Sequence, residues 1–108
     1  MKEQNAKIIG TMLGIEDHGI LTWSLHLDYG GAGQSVGHYA MDSKGGSVPH
    51  VSCEATIHTI LETVGVKKWE DLKGNLIRVK ADYEKVYAIG HALDNKWMEF
   101  AEFYARFK

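Results

Sequence analysis

Apolar and polar positions alternate with a period of two from Lys7 to about Asp42, the pattern of half-buried antiparallel strands. Lys7 to Ile15 places Ile9, Thr11, Leu13 and Ile15 on one side, and Ile8, Gly10, Met12 and Gly14 on the other. Asp17-His18-Gly19 then predicts a three-residue hairpin loop, with glycine where a positive φ is needed. Ile20 to Tyr29 puts Leu21, Trp23, Leu25, Leu27 and Tyr29 on one side and Thr22, Ser24, His26 and Asp28 on the other. A three-residue loop pairs Glu16 with Ile20, Leu13 with Trp23 and Ile9 with Leu27, so the two apolar sides coincide. Gly30-Gly31-Ala32-Gly33-Gln34 reverses the chain again. A symmetric loop there sets His26 opposite His38, Asp28 opposite Val36 and Thr22 opposite Asp42, with Gly37, Tyr39 and Met41 on the core side.

Beyond the loop Ser43-Lys44-Gly45-Gly46 the period changes. Pro49 precedes a helix over Val51 to Val64, in which Cys53, Ile57, Ile60, Leu61 and Val64 form one apolar face and Gly65 supplies the C-terminal cap. Trp69-Glu70-Asp71-Leu72 predicts a short helical turn ended by Gly74. Leu76–Ala81 and Val86–Leu93 predict a second hairpin, turned at Asp82 to Lys85. A closing helix over Lys96 to Phe107 lines up Trp97, Phe100, Tyr104 and Phe107, with Phe103 beside them. The order β-β-β-α-β-β-α, with one short turn, predicts an α+β domain: an antiparallel sheet of about five strands packed by an amphipathic helix and a C-terminal aromatic helix. Residues 1–108 are expected to form one globular domain.

Charge narrows the partners. Twelve Lys and Arg against 14 Asp and Glu give a net charge of −2, which lacks the basic excess that grips duplex DNA. Cys53 is the only cysteine, so no intramolecular disulfide or CxxC zinc motif exists, and a reducing compartment is expected. Met1 to Lys7 is polar, which predicts no signal peptide, and no apolar run approaches the ~20 residues that span a bilayer.

The polar side of the first sheet is the candidate working surface. His26, Asp28 and His38 offer imidazole and carboxylate ligands to a metal, but a third and fourth protein ligand are not evident, so no metal is assigned. Glu54, His58 and Glu62 share a helix face opposite the apolar stripe, where a solvated surface accounts for them. Cys53 begins the apolar face and reads as a small buried hydrophobe. Gly30 to Gln34 leads from strand to strand rather than into a helix, so it fails as a classical phosphate loop but survives as a rim that touches a ligand. Gly10, Met12 and Gly14, walled by Ser24, His26 and His38, outline a shallow trough. Paired acids, an activated nucleophile and a full metal set are missing from the pattern, which favours binding over catalysis; no cofactor is predicted.

Four blocks carry a resemblance: Ile15-Glu16-Asp17-His18-Gly19; Leu27-Asp28-Tyr29-Gly30-Gly31 with Gly33-Gln34; Trp69-Glu70-Asp71-Leu72-Lys73-Gly74; and Ile89-Gly90-His91 with Lys96-Trp97. They resemble a group of small proteins of tailed phages and prophages, a group with no assigned chemistry. The chain departs from that pattern at His38, where glycine is expected. The resemblance implies a phage accessory protein acting in the host cytoplasm, and counter-defence is the analogous role for proteins of this size. The expected function is capture of a small nucleotide-type signal by a homo-oligomer, in a pocket of His26, Asp28, Gly31, Gly33, Gln34, His38 and Arg78. Two alternatives stand beside it: an inhibitor that binds a host defence protein through an interface of Trp97, Phe103 and Tyr104, or a metal-dependent enzyme built on the histidine face.

Overall fold

The computed structural model describes residues 2–37, 41 and 52–107, and His38, Tyr39, Asp42, Pro49 and Val51 lie outside them. Six strands form one antiparallel sheet: β1 (Lys2–Ile15), β2 (Leu21–Asp28), β3 (Gly33–Gly37), β4 (Leu76–Ala81), β5 (Val86–His91) and β6 (Trp97–Glu99). Two α-helices, α1 (Ser52–Val64) and α2 (Phe100–Ala105), and a 3₁₀ turn at Trp69–Asp71 complete the chain. The α+β class and the C-terminal aromatic helix stand as expected, with six strands instead of five.

The extra strand comes from the last segment. Trp97 opens β6 rather than a helix, because Trp97, Met98 and Glu99 pair with Gly90, Ile89 and Ala88. The helix begins only at Phe100. Gly90 has no side chain, and the Trp97 indole lies so close that a Cβ there would sit 2.6 Å from its ring. The ring therefore occupies the room a side chain would take, a bare glycine covered by a cross-strand aromatic.

Strand order is β3-β2-β1-β4-β5-β6. β1 is shared: Lys2 to Lys7 pairs with β4, while Lys7 to Ile15 pairs with β2. The changeover is a β-bulge between Ile8 and Gly10, and it corrects the expected face assignment. Ile8, not Ile9, pairs with Leu27 and is fully buried, while the bulged Ile9 is 49% exposed. Beyond the bulge Leu13 pairs with Trp23 as predicted, and the Glu16 N–H donates to the Ile20 carbonyl at 3.0 Å. One extra residue exchanges the two faces of a strand. The Ile8 N–H and C=O bond to Asn75 and Gly74, just before β4, which anchors the crossing point.

A long first strand shared by β2 and β4, a helix between β3 and β4, and β3 lying alongside β5 together give the connectivity of a partly open Greek-key barrel of the OB type. Trp23, Leu25, Leu27, Val36, Ile77, Val79 and Ile89 fill its interior with Ala6 and Ile8. α1 packs on β5 and β6. Its buried residues are Ser52, Thr56, Ile60, Thr63 and Val64, so the face that meets the sheet is turned from the predicted one; Cys53, Ile57 and Leu61 are only half-buried. Gly65 ends the helix at φ 94°, with the Val66 N–H returning to the Leu61 carbonyl at 3.0 Å, a Schellman cap. α2 closes one flank: Phe100 tilts against Trp23 with ring centroids 5.7 Å apart, and the Trp23 indole N–H donates to the Tyr104 hydroxyl at 3.0 Å. Phe103 is 5% exposed. Phe103 is thus buried in the chain's own core, and Tyr104 packs half-buried beside it.

Candidate functional site in the barrel mouth

Register decides which side chains reach the barrel interior. β2 and β3 pair as Leu25 with Val36, His26 with Ser35, Leu27 with Gln34 and Asp28 with Gly33. The connecting loop is therefore Tyr29 to Ala32, and the symmetric loop that sets Asp28 against Val36 does not form. The offset of three residues turns Gln34 and Val36 inward and Ser35 outward. His26 donates to or accepts from Ser35, with Nδ1 and Oγ 2.8 Å apart. The expected register pairing of His26 with His38 is thereby replaced by His26 with Ser35, and His38 itself lies outside the described residues.

Inward-facing positions change character along the barrel. In β1 they run Ile8, Ala6, Gln4, Lys2, from buried hydrocarbon to amide to ammonium. Tyr29 and Gln34 take the corresponding positions after Leu27 and before Val36. These four polar side chains line one cleft of about 550 Å³, together with Ala32, Gly33, Ala81, Asp82 and Tyr83. It lies between the β2–β3 loop and the β4–β5 turn. That is the end of β5 opposite His91, where Gly65 of the α1 cap packs.

The cleft is held by a short relay. The Tyr29 hydroxyl donates to Gln34 Oε1 at 2.8 Å, and Gln34 Nε2 reaches the carbonyls of Tyr83 at 3.3 Å and Asp82 at 3.5 Å. Burial raises the Tyr29 pKa above its ordinary 10.0, so at neutral pH the phenol keeps the proton that this bond needs. The turn across the cleft is shaped by Asp82. Its Oδ1 accepts the Glu84 and Lys85 N–H groups at 2.8 and 3.0 Å, and its Oδ2 accepts the Tyr87 hydroxyl at 2.6 Å. The Tyr87 hydrogen bond, followed by those two backbone bonds, lowers the Asp82 pKa; the same contact raises that of Tyr87. Asp82 thus spends both oxygens on the turn. Tyr83, at the tip, is fully exposed. The side chains of Lys2 and Gln4 have no hydrogen-bond or ion-pair partner among the described residues.

Of the residues singled out from sequence, the cleft gathers Gly33 and Gln34. Gly33 is required where it stands, because a Cβ would lie 2.7 Å from the Leu27 carbonyl oxygen. Asp28 caps the loop instead, accepting the Gly30 N–H at 2.8 Å and the Gly31 N–H at 3.4 Å. Gly31 itself sits at φ 123° in that loop. His26 occupies the predicted trough: a Cβ on Gly10 would meet its ring at 3.1 Å. Ser24 and Thr22, expected on the open face, are buried.

Arg78 does not join this group. It lies on the outer face of β4, donating to the carbonyls of His91 and Asp94 at 2.9 and 2.8 Å and pairing with Glu3 at 3.2 Å. The Trp97 ring lies beside it, 4.9 Å from the guanidinium carbon and 4.5 Å from Lys80 Nζ. These contacts clasp β6 to the sheet. Among the described residues no group of three His, Cys, Asp or Glu side chains is placed to hold a metal ion. No described helix is long and apolar enough to cross a membrane. Other depressions among the described residues have more carboxylates than Lys or Arg in their walls: Glu99 and Glu102 against Lys85 in one of about 460 Å³, Glu99 and Glu102 against Arg106 in one of about 200 Å³, and Glu54 beside His58 in one of about 420 Å³.

Sequence reasoning missed Lys2, Gln4, Tyr29 and Tyr83. Lys2 to Asn5 is polar at every position, so which of its side chains turn inward is readable only once the register with β4 is known. Compared with known proteins, the chain matches no family model, no curated protein and no solved structure.

Proposed function

We propose that this chain is a non-catalytic binding module that captures a small nucleotide-type molecule in the barrel mouth. The observation that carries the reading is the polar turn of the interior-facing positions, Lys2, Gln4, Tyr29 and Gln34, at the barrel end where this cleft opens. Gln4 and Gln34 are half-buried and Lys2 is exposed at the rim, and small-molecule sites combine apolar walls with a few placed polar groups, often in barrel mouths. Tyr83 and Tyr29 offer ring surface to a planar heterocycle. Gln4 offers free donors and an acceptor to its edge, and Lys2 offers a charge to a phosphate. OB-type barrels commonly use their β4–β5 loop in binding, and Tyr83 lies in that turn. The phage-like sequence blocks supply the setting, a counter-defence role in the host cytoplasm.

The test is thermal unfolding of the full chain with a panel of nucleosides, nucleotides and cyclic nucleotides. Binding to the folded state alone raises Tm, by about 2.7 kcal/mol of added stability at a ligand concentration of ~100 Kd. A shift with at least one member that disappears in Tyr83→Ala supports the reading. No shift with any member, together with retention of a host protein in a pull-down, replaces it with the inhibitor reading.

A further inference from the structure

We infer that the chain self-associates: a second copy pairs with the open edge of β1 between Ile9 and Ile15, at the end of that strand away from the mouth. The pairing of β1 with β4 stops at Lys7, whereas its pairing with β2 continues to Ile15. From Ile9 onward the β4 side of β1 therefore carries no strand among the described residues. The hydrogen bond from the Glu16 N–H to the Ile20 carbonyl fixes which backbone groups lie on that side. Bonded and non-bonded positions alternate along an antiparallel pair, so Gly10, Met12 and Gly14 bond to β2. Thr11, Leu13 and Ile15 then aim their N–H and C=O groups outward, along the open edge.

Composition, symmetry and charge name the occupant. Ile9-Gly10-Thr11-Met12-Leu13-Gly14-Ile15 has neither a charged residue nor a proline, the residues that keep strand edges from pairing. Its large side chains meet solvent: Ile9 is 49%, Leu13 38% and Ile15 67% exposed. An antiparallel edge is complementary to itself about a two-fold axis. With the axis at Leu13, Leu13 meets its own copy and Thr11 meets Ile15, so every outward N–H finds a C=O. Charge favours the same direction. Exposed Lys7 precedes the segment and exposed Asp17 follows it. Antiparallel pairing brings Asp17 of one copy toward Lys7 of the other, whereas a parallel arrangement sets like beside like. Two copies joined in this way leave both mouths open, because Lys2 and Gln4 lie at the far end of β1.

The experiment is sedimentation equilibrium of the full chain, with Leu13→Lys and Leu13→Glu copies measured alone and mixed in equal amounts. The native chain should sediment with the mass of two chains. Each variant alone should associate at least about tenfold more weakly, since like charges then face each other across the axis, and the mixture should recover the dimer. Recovery separates an edge contact from a folding defect, which mixing cannot repair. Amide hydrogen exchange of the native chain gives a readout that needs no variant. Thr11, Leu13 and Ile15 should lose protection on dilution, while Met12 and Gly14, bonded to β2, keep theirs. A native chain that stays monomeric at ~0.1 mM would overturn the proposal. So would a dimer that both variants leave intact, or a monomer that holds a different protein on this edge.

Discussion

The two ends of the barrel use the same strands and obey different packing rules. Toward the β1–β2 turn the interior positions are Trp23 and Leu25, with Ile60 of α1 and Phe100 of α2 against them, all essentially inaccessible. The polar atoms at that end are paired: the Trp23 indole N–H bonds Tyr104, whose hydroxyl lies 3.1 Å from Thr56 Oγ1. At the other end the interior positions are Lys2, Gln4, Tyr29 and Gln34, around a cleft, and two of those four side chains have no partner among the described residues. The contrast separates what folds the chain from what a ligand meets. Burial and satisfied hydrogen bonds stabilise the first end; the second keeps unsatisfied polar groups in reach of solvent, where they cost little until a ligand uses them.

Substitutions break the comparison from either side. Trp23→Ala removes the largest buried side chain and leaves the Tyr104 hydroxyl short of a donor. It should cost about 3–5 kcal/mol in urea unfolding, and a loss below about 1 kcal/mol would show that the closed end is not the core it is taken to be. At the mouth the effect should run the opposite way. Tyr83 is fully exposed, so Tyr83→Ala should leave stability within about 0.5 kcal/mol while weakening ligand binding about tenfold. Equal losses in stability and binding would erase the distinction between the two ends.

The smallest expected effect lies at the β1–β2 turn. Glu16 accepts the His18 backbone N–H at 2.6 Å, and its other oxygen is 2.9 Å from His18 Nδ1. The hydrogen bond with Glu16 raises the His18 pKa above 6.5, and the same bond holds Glu16 below 4.5. The contribution of His18 is therefore complete below pH 6.5 and is lost as pH rises through its raised value. That of Glu16 is present above pH 4.5 and is lost as pH falls through its lowered value. The pair is exposed, so the turn should tighten between those limits with little change in global stability. An NMR titration should place His18 above the ordinary histidine value and return it there in Glu16→Gln.

Much of the fold was legible because its signals are local. The alternation Leu21-Trp23-Leu25-Leu27, the Asp17-His18-Gly19 turn, the Leu76–Ala81 strand and the Gly65 cap each announce themselves within a few residues. What was not legible depended on distant partners. Lys2 to Asn5 is too polar to read as a strand, and becomes one because β4 supplies hydrogen bonds along it. Ile9 looks like a core residue until the Gly74-Asn75 contact fixes the bulge one residue earlier. Trp97 belongs by spacing to an aromatic helix, but Gly90 across the sheet offers its ring a bed. On the candidate site, Gly33 and Gln34 were found because the glycine-rich loop draws attention to itself. Lys2, Gln4 and Tyr29 were not, because a polar residue marks a cavity only when it is known to point inward.

The most direct test of the barrel mouth is a ¹⁵N–¹H correlation spectrum of the full chain, titrated with the cyclic nucleotide that raises Tm most. Saturable shifts are expected, confined to Lys2, Gln4, Tyr29 to Gln34 and Ala81 to Lys85, with the amides around Trp23, Ile60 and Tyr104 unmoved. Shifts centred on His26 and Ser35 of the outer face, or on Trp97 and Arg78, would place binding elsewhere and contradict it.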